Sequence, residues 1–182
     1  MPNMTIMAPK NKWELSDMMK FAVNYDGPIA IRYPRGEAYC GLEDNRNPIE
    51  LGKSEVIHKG SRVVLLALGS MVKESLKALE ILQSDGIDAT LVNARFAKPF
   101  DKTILDDAAR EYELIVTLEE NVQAGGFGQQ VMSYLNDIDY TGKYYNISVP
   151  DKFVEHGSTE QLFELLEIDY KSIARRIKEQ LD

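Results

Sequence analysis

Arg35 stands in Ile31-Arg32-Tyr33-Pro34-Arg35-Gly36, where an apolar run stops at a Pro, an Arg and a Gly. Proline has no N–H with which to continue a central ladder, and glycine relaxes the φ limits just beyond it. The strand therefore ends, and Arg35 is held at its mouth. A guanidinium there presents a planar fork of donors that matches phosphate oxygens, at the strand end where open α/β sheets bind ligands. The plainer alternative is an arginine that is solvated or paired with a nearby carboxylate. Two more cations, Arg95 and Lys98, lie in Asn93-Ala94-Arg95-Phe96-Ala97-Lys98-Pro99-Phe100, just past another expected strand. Either could reach a ligand or a neighbouring domain's carboxylates. His156, in Pro150-Asp151-Lys152-Phe153-Val154-Glu155-His156-Gly157-Ser158, has Asp151 and Glu155 near enough in sequence to tune it, although a lone histidine near a helix start is more often structural.

Ala124-Gly125-Gly126-Phe127-Gly128 sets three glycines at a helix start, where amide N–H groups can face an anion. The spacing is neither a Walker loop nor a dinucleotide fingerprint, and Glu119 and Glu120 would repel a phosphate, so tight helix packing is the default. No serine sits in a nucleophile elbow, and no set of acid, base and nucleophile assembles. Cys40 is the single cysteine, and His58 and His156 are the two histidines. An internal disulfide and a thiolate metal cluster are thus excluded within one chain, and a multi-histidine metal site is not expected. No catalytic, cofactor-binding or metal-ligating residue is assigned.

These residues need elements to carry them. Asn11 is a candidate N-cap for an amphipathic helix running to about Val23, with Glu14 at its third position and Leu15, Met18, Met19 and Ala22 on one face. Met4–Met7 before it and Ile29–Tyr33 after it read as strands, which makes a βαβ unit of about 35 residues. Such a unit cannot cover both faces of its own sheet, and it reads as the end of an incomplete domain, residues 1–40. Residues 41–53 are polar and read as a linker. From residue 54 to 182, strands alternate with helices: strands 54–58, 62–68, 89–93, 114–118 and 144–148, and helices 72–83, 102–111, 128–136, 159–166 and 170–181. Val63–Leu68 is apolar throughout, as a strand buried on both faces should be. The expected class is α/β, a mostly parallel sheet with helices on both faces, and the strand before Gly60 as its antiparallel edge.

The 182 residues suffice for one domain or for one domain and part of another, and 44% apolar with 27% charged residues is ordinary for a globular protein. A net charge of −8 argues against nucleic acid. No apolar run reaches the ~20 residues of a membrane helix, and the N-terminus lacks a secretory pattern, so a cytoplasmic location is expected.

Taken together, Pro2–Lys10, Gly27–Gly36, Arg95–Asp101, Glu119-Glu120-Asn121 with Gly125–Gly128, and Pro150–Gly157 closely resemble the 1-deoxy-D-xylulose-5-phosphate synthase family, a relative of transketolase. The resemblance runs in family order and corresponds to the family's final third: the end of a pyrimidine-binding domain to about Gly36, and a transketolase C-terminal domain from Ser54. It implies a transferase of isoprenoid and thiamine precursor synthesis that joins pyruvate, with loss of carbon dioxide, to glyceraldehyde 3-phosphate. It also implies thiamine diphosphate and magnesium in the full-length enzyme, and a homodimer. By resemblance, Arg35 matches the arginine that contacts the phosphate of glyceraldehyde 3-phosphate. The family's diphosphate, metal and aminopyrimidine contacts match nothing in these residues, so the polypeptide by itself is expected to bind no cofactor and to be inactive. A non-catalytic assembly module and a small subunit of a split transketolase-like enzyme are the alternatives.

Overall fold

A computed structural model describes residues 2–181; residues 1 and 182, the outer limits of the two expected domains, lie outside the described residues. The first unit is β1 (Thr5–Met7), α1 (Lys12–Val23) and β2 (Ile29–Ile31), with β1 and β2 parallel. Asn11 caps α1 as its position in the sequence implies, accepting from Glu14 N at 2.9 Å. The apolar face of α1 is narrower than its periodicity suggests. Met18 is buried, but Met19 lies half exposed.

The second unit runs β3 (Glu55–His58), β4 (Val63–Ala67), α2 (Met71–Ser84), β5 (Ala89–Asn93), β6 (Phe96–Lys98), α3 (Lys102–Glu111), β7 (Leu114–Val122), α4 (Phe127–Asp137), β8 (Lys143–Val149), α5 (Thr159–Leu165) and α6 (Tyr170–Leu181). Five strands form one sheet in the order β3-β5-β4-β7-β8. All neighbours are parallel except β3, which pairs antiparallel to β5 at the edge. The all-apolar β4 lies at the centre. Val63, Leu65 and Ala67 pack on one face with Val72, Leu82 and Ile177 from α2 and α6. Val64 and Leu66 pack on the other face with Leu105, Phe127 and Val131 from α3 and α4. Each such side chain removed from water contributes about 1.5–3 kcal/mol, which is why this strand carries no polar residue.

Sequence patterning did not reveal β6. Its three residues form an antiparallel pair with β1, giving a second, three-stranded sheet of order β2-β1-β6. Phe96 sits there with Met7 and Met18 in a small apolar cluster of its own. The first unit is therefore joined to the second by a shared sheet. Residues 41–53 contain no helix or strand, yet they are fastened at several points, with Leu42 and Ile49 packed against two of the apolar clusters.

Candidate functional site

The chain just past β2 meets the carboxyl-terminal part of β7, which runs parallel to β8. β2 makes its last backbone contact through Arg32 N, which donates to Met7 O at 2.8 Å, and the chain then turns through the exposed residues Tyr33, Pro34, Arg35 and Gly36. Gly36 has φ +108°, a conformation that side-chain-bearing residues rarely adopt, so the turn just after Arg35 depends on glycine. Arg32 reaches across to β7. Its NH2 group donates to Glu120 O at 2.5 Å and lies 3.5 Å from Glu120 Oε1. Arg35 is exposed and, among the described residues, has neither hydrogen bond nor ion pair. Its donors face no competing carboxylate, which leaves a guanidinium able to accept a dianion in bidentate fashion.

At the end of β7 the glycines do what tight packing requires. Glu119 is buried, and its carboxylate accepts from Phe127 N and Gly128 N, both at 2.8 Å. The positive end of α4 is thus occupied by the protein's own anion rather than presented to a ligand. A Cβ on Gly126 would lie 2.6 Å from Glu119 Oε2, so glycine is what allows the carboxylate this close. Burial pushes the Glu119 carboxyl above the usual carboxylate range; the two amide donors and Arg32 pull the other way without cancelling it. Alongside, Tyr144 OH donates to Gly128 O at 2.6 Å and shares a 2.6 Å bond with Thr117 Oγ1. Burial raises the Tyr144 phenol well above its ordinary value.

Of the two options open to Arg95, the structure shows the carboxylate one. Arg95 is 2% exposed and adopts φ +59°. Its Nε donates to Glu14 Oε1 at 2.9 Å, its NH2 lies 3.1 Å from Glu55 Oε1, and it also donates to the carbonyls of Asn47 and Pro48. Lys10 Nζ bonds the same two carboxylates at 2.9 and 2.6 Å, and Asn93 Nδ2 donates to Glu14 Oε1 at 2.8 Å. Two cations and two anions, all buried, cancel one another at the seam between α1, β3 and β5. Lys98 is half-buried on β6, paired with Ile6 of β1. His156 lies on the exposed 150–158 loop that leaves β8, two residues before Ser158, the N-cap of α5. Arg32 was not singled out from the sequence; the available signal was a charged residue within an apolar strand, three positions before Arg35.

A family model described as transketolase, C-terminal domain, matches residues 52–173. The chain is 47% identical over 178 residues to 1-deoxy-D-xylulose-5-phosphate synthase of Lachnoclostridium phytofermentans, covering 97% of this chain and 28% of that protein. It is 41% identical over 180 residues to the enzyme of the same name from Alkaliphilus oremlandii, covering 98% of this chain and 29% of that protein. The chain therefore spans less than a third of the length of these relatives. Among solved structures, a split gene transketolase described as an inactive beta4 tetramer superposes with a TM-score of 0.92 at 28% identity, over 100% of this chain and 59% of that one.

Proposed function

Because the chain belongs to the transketolase C-terminal domain family, we propose that it serves as the carboxyl-terminal region of a 1-deoxy-D-xylulose-5-phosphate synthase. That enzyme joins pyruvate, with loss of carbon dioxide, to glyceraldehyde 3-phosphate. Arg35 is the residue in this region that binds the acceptor's phosphate. The observation that carries the reading is the identity of 41–47% to enzymes of that name across nearly the whole chain. The exposed turn, on which the Arg35 guanidinium has no partner among the described residues, supports the residue's role.

Thiamine diphosphate and magnesium belong, on this reading, to the rest of the enzyme. Among the described residues no three His, Cys, Asp or Glu side chains come together. No step through the cofactor is assigned to them. Their work is to hold the acceptor by its phosphate and to keep the strand ends around it rigid.

A second reading, a subunit of a split transketolase-like enzyme, is favoured by the solved neighbour, whose name describes a split gene product. On either reading the active assembly is a homodimer of the complete unit. The test is product formation from pyruvate and glyceraldehyde 3-phosphate with thiamine diphosphate and magnesium present. The 182-residue chain alone is expected to be silent, and the enzyme that contains it to be active. Restoration of turnover by a separate polypeptide would select the split reading, whereas turnover by the isolated chain would overturn both.

A further inference from the structure

Resting on the reading of Arg35 as the phosphate clamp, we propose that Arg32 is the positioning residue that fixes the Pro34-Arg35-Gly36 turn against the carboxyl end of β7. The turn has little else to define it. The β2 ladder ends at Arg32 N, and residues 33–38 are exposed and outside any helix or strand. A cation on such a turn would lose freedom on binding a ligand, which weakens the net gain. Arg32 reduces that cost beforehand, because its guanidinium bonds the Glu120 carbonyl and lies beside the Glu120 carboxylate. A charged donor on a carbonyl is among the stronger hydrogen bonds a protein makes.

The anchor on the far side is rigid. Glu119, one residue earlier, is bolted to the start of α4 through two amides, and β7 is in register with β8 from Leu114 to Leu118 and again at Val122. Glu120 also offsets the charge of Arg32, so the two arginines divide the work: Arg32 is engaged within the protein, and Arg35 has no ion pair among the described residues. A merely structural seam would not require this division, since the buried cluster of Lys10, Glu14, Glu55 and Arg95 already joins the two units.

The experiment uses the full-length enzyme with thiamine diphosphate, magnesium and saturating pyruvate, and compares glyceraldehyde 3-phosphate with unphosphorylated glyceraldehyde as acceptor. Arg32→Ala is expected to raise KM for the phosphorylated acceptor about tenfold, the scale of one misplaced charged contact, with kcat held within about twofold. Its kcat/KM for glyceraldehyde is expected to stay unchanged, and Arg32→Lys to fall between. Arg35→Ala is the reference. If Arg35→Ala affects the phosphorylated acceptor selectively and Arg32→Ala does not, the positioning role is overturned while the clamp stands. An equal loss on both acceptors in Arg32→Ala, the mark of general damage, also overturns it. If Arg35→Ala itself treats the two acceptors alike, the clamp reading fails and takes this inference with it.

Discussion

Removing Arg95 should cost far more than removing any exposed arginine. The four charges of the buried cluster sum to zero, and Arg95 alone contributes contacts to Glu14, Glu55, and the carbonyls of Asn47 and Pro48. Arg95→Met leaves one unmatched negative charge at a site whose carboxylates are at most 2% exposed, and two carbonyls lose their donor. Breaking a buried pair in this way destabilises by about 3–5 kcal/mol. At roughly 2–4 °C per kcal/mol for a chain of this size, Tm should fall by about 6–20 °C. Arg46→Ala provides the scale for comparison. Arg46 NH2 meets Asp17 Oδ2 at 2.7 Å with both side chains partly exposed, so its loss should cost about 0.2–1 kcal/mol. Urea denaturation of the three proteins measures the difference directly. The double variant Glu14→Gln/Arg95→Met restores neutrality and should be no less stable than Arg95→Met alone, because the unmatched charge is gone. A cost for Arg95→Met no larger than that for Arg46→Ala would refute the argument that burial makes this cluster decisive.

Three further outcomes follow from the carboxyl end of β7. The Glu119 carboxyl is raised in the folded protein, so the folded state binds more protons there than the unfolded chain. Its contribution is thus fully present below the ordinary glutamate value and lost as pH rises through the folded one. Glu119→Gln should remove that part of the slope, seen as the difference between the two stability–pH curves just above pH 4.5. Gly126→Ala would drive a methyl into Val122 O and the Glu119 carboxylate and should cost about 1–3 kcal/mol in urea denaturation. Tyr144→Phe strips the hydroxyl from Gly128 O and Thr117 Oγ1 and should cost about 1–3 kcal/mol by the same assay; a neutral result would mean that those groups find other partners.

Local chemistry in the sequence specifies most of the scaffold. The Asn11 cap, the two-sided burial of β4 and the antiparallel edge at β3 each follow from a short run of residues. The departures share a cause. β6 is three residues long and owes its strand geometry to β1, some ninety positions away, so no local pattern announces it. β7 extends to Val122 although Glu119-Glu120-Asn121 reads as its end, because Glu119 accepts hydrogen bonds from amides of α4 and Glu120 lies beside Arg32. The type of residue at Arg95 allowed either a ligand or a carboxylate. Only the folded chain brings Glu14, 81 positions away, onto its Nε. The turn that carries Arg35 is legible in part for the opposite reason: proline and glycine end the strand locally, while the Arg32–Glu120 contact that holds the turn spans 88 positions.

The central claim, that Arg35 recognises the acceptor's phosphate, is tested most directly by the ratio of kcat/KM for glyceraldehyde 3-phosphate to that for glyceraldehyde, measured in the full-length enzyme before and after Arg35→Ala. A lost bidentate contact to a charged group should lower the ratio by about tenfold or more. A ratio left unchanged by the substitution would contradict the claim.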